Sequence, residues 1–283
     1  MDWLIDPLSE PFMQRVLVGS ALAVMTASLI GTWIVLRGLS FMGDALAHGV
    51  TPGIALAFAL GFNLTLGAIG AAVAMTLGIN LVHRKAQLRE DTGIGLLFVG
   101  MLALGVIIMS RLPSFSGNLA TILFGDTLGI RQEDIVVQAL AAVVTLAVIV
   151  IFYRAFIVLS FNEEKAEMLG LRPGLAHLLM LSLLTLAIVT SFRAVGTLLV
   201  FALIVAPPAT ASLVVRRVPT MMVTAVAFGF LAVLSGLLIS WHADTAAGAT
   251  MAFVSVAIFF VVLALREFWN IGVFSPQSSV ISG

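Results

Sequence analysis

The chain has 283 residues, of which 61% are hydrophobic and only 10% charged; its formal net charge is zero and it contains no cysteine. A water-soluble domain carries about a quarter charged residues, so a mean hydropathy of +1.17 excludes one. The missing cysteines exclude disulfide frameworks, iron–sulfur clusters and thiolate metal ligands, and the absence of any basic block excludes nucleic acid as a partner.

Apolar runs of about 20 residues, long enough to cross a bilayer as helices, recur throughout. They predict an all-α polytopic integral membrane protein with about eight to nine transmembrane helices, forming a single domain over 1–283. The opening MDWLIDPLSEP is acidic where a cleaved signal peptide is basic, so the first run, 14–36, is expected to stay in the mature protein. The second run, 39–62, carries an aspartate and a histidine. The third, 64–82, is rich in glycine and alanine, and HRKAQLRED parts it from the fourth, 92–110. A long polar stretch, RLPSFSGNLATILFGDTLGIRQED, leads to the fifth, 134–159. After FNEEKAEMLGLRPG come 175–192, 194–215, 220–240 and 246–265, then a tail, 267–283, lying in the cytoplasm. The runs are continuous and do not alternate apolar with polar, which excludes a β-barrel.

Lysine and arginine gather on the cytoplasmic side of membrane proteins. With the N-terminus outside, Arg37, Arg84, Lys85, Arg89, Arg154, Lys165, Arg172, Arg216, Arg217 and Arg266 fall inside. Only Arg15, Arg111, Arg131 and Arg193 then fall outside. Small residues in GAIGAAVAMTLG and TAVAFGFLAVLSG let helix backbones approach closely in lipid.

Within the second run, Asp44, His48 and Thr51 are spaced i, i+4, i+7 and share one helix face. Gly43, Ala45, Ala47 and Gly49 leave room around that face. Pro52 and Gly53 loosen the backbone and free carbonyl oxygens. An aspartate at mid-helix costs about 2.5–3.5 kcal/mol on insertion scales, so such residues need a reason. A carboxylate and an imidazole make half a site for a borderline divalent cation. An incomplete shell also suits transport, because the ion must leave again. Spacing is equally compatible with a structural pair, or a helix cap, near the cytoplasmic interface.

Two hydrolytic readings fail on the motif itself. An intramembrane aspartyl protease needs Gly-x-Gly-Asp, and Phe41 occupies the first glycine's place. A zinc protease needs His-Glu-x-x-His, whereas the chain offers Asp-Ala-Leu-Ala-His.

The remaining signals are weaker. Glu163–Leu171, inside the loop 161–174, can form a short amphipathic helix ended by Gly170 and Pro173; it reads as a solvated loop or as a docking helix. No Gly-x-x-x-x-Gly-Lys-[Ser/Thr] occurs, so uphill transport needs an ion gradient or a partner. Mid-membrane ionisable residues are scarce apart from Asp44, which weighs against a gradient-driven carrier. Pro207 and Pro208 are expected to break a helix near 206–210, as a kink or a gate. His242 and Asp244, in WHADT, fall in an outer loop where they could meet an incoming ion, although a solvated turn is the commoner use of such residues. His83 and His177 read as interfacial, and Asp126 as a loop charge.

RGLSFMGDALAHGVTPGIAL (37–56), EDTGIGLLFVGMLALG (90–105), LATILFGDTLGI (119–130), NEEKAEMLGL (162–171), AVGTLLVFALIVAPPATASLV (194–214) and AGATMAFVSVAIFFV (247–261) together cover nearly the whole chain. In that order they resemble the permease subunits of bacterial ABC importers for zinc, manganese and iron, a fold related to the cobalamin and siderophore permeases. The second proline of APPAT departs from the pattern. The resemblance implies a multi-pass plasma-membrane homodimer, two cytoplasmic ABC ATPase subunits and an extracytoplasmic metal-binding protein. It also implies that the chain is no enzyme and holds no permanent cofactor, with Zn2+ or Mn2+ as substrate. Asp44 and His48 would lie in the metal pathway, with Thr51 beside it. Glu163, Glu164, Glu167, Leu169 and Gly170 would face the ATPase. Histidine as a ligand puts zinc first, manganese a close second and iron third; the absence of cysteine argues against export of soft copper(I).

Two rival readings stand beside this one. A cobalamin-type or siderophore-type permease needs a wide, neutral cavity and gives the Asp–His pair no role. A gradient-driven secondary metal carrier would transport with no ATPase present.

Overall fold

In a bilayer no water satisfies backbone N–H and C=O groups, so a spanning chain must satisfy them within helices. The computed structural model describes residues 10–85, 90–111, 130–161, 168 and 170–273, and the regular structure there is helical throughout. The helices are α1 Pro11–Leu36, α2 Ser40–Gly49, α3 Thr51–Leu60, α4 Leu64–Lys85 and α5 Glu90–Ser110. They continue with α6 Gln132–Phe161, α7 Pro173–Val214, α8 Val218–Ala243 and α9 Ala247–Val273. Nine stretches of these described residues are long and apolar enough to cross a membrane, with α2 and α3 counting as one and α7 as two. An all-α polytopic architecture is therefore what forms.

Two interruptions shape the bundle. The first is at Val50, which ends α2 and begins α3 while keeping right-handed dihedrals of φ −78° and ψ −18°. Its cause is two residues on: Pro52 has no N–H to give to the His48 carbonyl one turn earlier. The second is Gly196, at φ 78° and ψ 161° inside α7, a conformation that glycine adopts at no steric cost. The chain doubles back there. His177, in one arm, meets Arg37 just past the end of α1, and Ala211, in the other arm, packs with Val35 and Leu36 of that same end. The arms Pro173–Ser191 and Val195–Val214 are therefore antiparallel.

The break expected near 206–210 is absent. Pro207 and Pro208 sit inside regular helix, and both are buried. Pro207 packs beside Gly229 of α8, close to Val24 of α1, so neighbouring helices hold the arm straight through the lost hydrogen bonds.

The hairpin α7 is the centre of the bundle, packing against α1, α2, α4, α6, α8 and α9. Glycine makes the closest approaches possible: a Cβ on Gly31 of α1 would overlap the Ile204 carbonyl of α7, and Gly53 and Gly67 meet in the same way between α3 and α4. At the α1–α6 contact, Trp33 is fully buried with Tyr153 and Phe156 edge-on at 5.7 and 5.5 Å. Large apolar side chains of α5, α6 and α9, such as Ile107, Ile151 and Phe253, point outward as lipid-facing residues do.

Gly31→Val is expected to destabilise the protein by more than about 2 kcal/mol, since backbone cannot move aside as a side chain can. Gly100→Ala, where an added Cβ meets nothing within 4 Å, is expected to raise stability by about 0.5–1 kcal/mol, as Gly-to-Ala does inside an unstrained helix. Thermal unfolding of the two variants in detergent compares them.

Candidate metal site on the second helix

The site begins at the turn that launches α2. At the end of α1 the Gly38 N–H bonds to Val35 O and the Leu39 N–H to Ile34 O, at 3.0 Å each. Gly38 has φ +70°, so this is a glycine-dependent helix terminus, and it lets α2 start within three residues. Arg37, in the same turn, donates from Nη1 to His177 Nδ1 at 2.7 Å. Because arginine only donates, this imidazole accepts at Nδ1. His177, expected at the membrane interface, is 1% exposed: the bond ties the base of α7 to the root of α2.

One turn into α2, Asp44 and His48 face each other. His48 Nε2 lies 3.5 Å from Asp44 Oδ1, and the side chains are 33% and 27% exposed respectively, so both are partly accessible on the chain. That separation is longer than an N–H···O hydrogen bond, and the two atoms are not locked together. They can instead reach one first-row divalent ion at about 2.1 Å from each, a typical ligand distance for zinc. Gly43 lets α2 lie against Phe201 and Ile204 of α7, and Gly49 lies against the Met75 sulfur of α4. The small residues flanking the pair thus serve close helix packing.

Thr51, on the same face by spacing, falls beyond the interruption and opens α3, where it is buried. The irregular stretch is enclosed: Pro52 lies beside Gly105 of α5, and Gly53 against Gly67 of α4. An apolar cleft of about 540 Å³ runs from Pro52 between α3, α4 and α5; its walls offer no carboxylate or imidazole.

His242 and Asp244 stand apart from one another in role. His242 donates from Nδ1 to the Leu238 carbonyl at 2.9 Å, and Asp244 caps α8 in a left-handed conformation with φ 49°. Among the described residues no three His, Cys, Asp or Glu side chains converge as a closed metal site. Glu163, Glu164, Glu167, Leu169 and Asp126 lie outside the described residues. Gly170 has φ +68°, which suits a helix stop. Sequence reasoning missed Phe98 of α5, whose ring lies 6.1 Å from that of His48; one phenylalanine in a long apolar run gives no signal.

The ABC 3 transport family matches residues 9–266. The manganese transport system membrane protein MntC of Listeria monocytogenes is 37% identical over 250 residues, 88% of this chain and 89% of that one. The chelated iron transport system membrane protein YfeD of Yersinia pestis is 35% identical over 257 residues, 91% of this chain and 86% of that one. Among solved structures, PsaBC from Streptococcus pneumoniae in complex with Fab matches with a TM-score of 0.81 and 32% identity, over 95% of this chain and 98% of that one. The chain belongs to the ABC 3 transport family. It is a multi-pass membrane permease subunit of an ABC transport system, and not the subunit that hydrolyses ATP.

His177→Leu keeps the bulk at the base of α7 and removes the acceptor for Arg37. Its expected cost is about 0.5–1.5 kcal/mol, the net worth of one hydrogen bond, read as a lower unfolding temperature in detergent.

Proposed function

We propose that this permease imports a divalent transition metal, manganese or iron before zinc, and that the ion passes by Asp44 and His48. The observation that carries the reading is that pair, about a third exposed, with carboxylate and imidazole 3.5 Å apart beside a helix interruption. An oxygen and a nitrogen ligand accept manganese, iron and zinc alike, and by themselves they favour zinc, which stands above manganese in the divalent affinity order. Manganese moves ahead because relatives along nearly the full chain are named for manganese and for chelated iron. Selection against zinc then rests on delivery and on the rest of the shell.

The working unit in this reading is two copies of the chain with two cytoplasmic ATPase subunits and an extracytoplasmic metal-binding protein. The N-terminus is outside and the C-terminus inside. The ion is released from the binding protein into a cavity between the permease copies. ATP binding pushes on segment 161–174, with Glu163, Glu164, Glu167, Leu169 and Gly170 against the ATPase, and switches which side is open. Thr51 lines the path beyond His48. His242 and Asp244, at the outer end of α8, are a secondary point of first contact.

Liposomes carrying the permease with its ATPase partner are expected to accumulate Mn2+ when ATP is supplied, and permease alone is expected to accumulate none. Asp44→Ala and His48→Ala should each lower uptake at limiting metal by at least about tenfold, as loss of a metal-site residue does. Acid should inhibit, because these ligands bind metal only when deprotonated. Normal uptake by both variants, or filling without nucleotide, would sink the proposal.

A further inference from the structure

Phe98 of α5 reaches the ligand pair from outside its own helix. Phe41 and His48 lie two turns apart on α2, about 10 Å along its axis. The Phe98 ring stands 5.5 Å from that of Phe41, at an interplanar angle of 78°, and 6.1 Å from that of His48, at 65°. The Phe98 ring therefore touches aromatic rings at both positions and links them across the α2–α5 contact. Both contacts are edge-to-face, the arrangement that the aromatic quadrupole favours.

A ligating imidazole is ordinarily steered by a hydrogen bond from its second nitrogen to a carbonyl or carboxylate. At His48 the contacts are of another kind: the Asp44 carboxylate at 3.5 Å and the Phe98 ring. We infer, on the reading that Asp44 and His48 form the transport site, that Phe98 is a positioning residue for it. Braced by Phe41, its ring sets the plane of the His48 imidazole so that Nε2 faces the carboxylate. Phe98 does not touch the ion. A ring contact directs the imidazole without binding its second nitrogen, which suits a ligand that must grip and release an ion at each cycle.

The test uses the complete permease–ATPase complex in liposomes, with Mn2+ as the probe and uptake measured across metal concentrations. Phe98→Leu, which keeps most of the bulk and loses the ring, is expected to raise the half-saturating Mn2+ concentration about 5–10-fold, toward the lower end of the effect of lost outer-shell partners. The maximal rate should stay within about twofold, the pattern of weakened binding without altered turnover. Phe98→Tyr keeps the ring and should restore the wild-type value. Phe98→Ala should resemble Phe98→Leu; if it does not assemble, the Leu and Tyr pair decides. Equal half-saturation in the Leu and Tyr variants, or a lowered maximal rate with unchanged half-saturation, overturns the positioning role. Asp44→Ala in the same assay separates the two ideas. If it is inactive while Phe98→Leu is normal, only the positioning role fails; if it transports normally, the transport-site reading fails and the role of Phe98 goes with it.

Discussion

Inside a bilayer each unsatisfied backbone group costs several kcal/mol, and that constraint governs both the regular and the irregular parts of this protein. It forces the chain into helices, and it confines departures from helix to places where other helices enclose them. The interruption at Val50 is such a place: Gly105 of α5 and Gly67 of α4 let their helices close over Pro52 and Gly53. The reversal at Gly196, also buried, joins the two arms of the α7 hairpin around which α1, α2, α4, α6, α8 and α9 are arranged. With lipid as apolar as the side chains, hydrophobic burial does not drive these helices together, and close backbone approach takes its place.

The ligand pair inherits its geometry from this frame. One turn of helix brings the Asp44 and His48 side chains together, the glycine turn at Gly38 sets where α2 starts, and the Arg37–His177 bond fastens that start to the base of α7. Phe98 of α5 lies edge-on to the imidazole. The pair is braced at its root and about a third exposed; in the proposed reading that openness suits transient occupancy. A structural site would instead close its shell with four protein ligands.

Some of this was legible in the chain's order of residues, and the division follows range. Apolar run lengths announced the helices, and the i, i+4 spacing announced that Asp44 and His48 would meet, because both are properties of a single helix. The effect of proline was misjudged at one position and anticipated at the other. At Pro52 the helix is interrupted two residues earlier, whereas at Pro207 and Pro208 packing against Gly229 and Val24 holds the helix regular. Proline removes the same hydrogen bond in either setting; the neighbours decide whether the backbone yields.

By itself the sequence determined a lipid-embedded helical chain and a carboxylate placed one turn from an imidazole, since hydropathy and helical periodicity act over a few residues. Only the tertiary structure decided that His177 is buried against Arg37, 140 residues away in the chain, that the chain reverses at Gly196, and that Phe98 meets both Phe41 and His48. Those outcomes depend on which helices become neighbours. That is settled by how closely glycine-bearing faces can approach, a property of pairs of helices that no single stretch of residues carries.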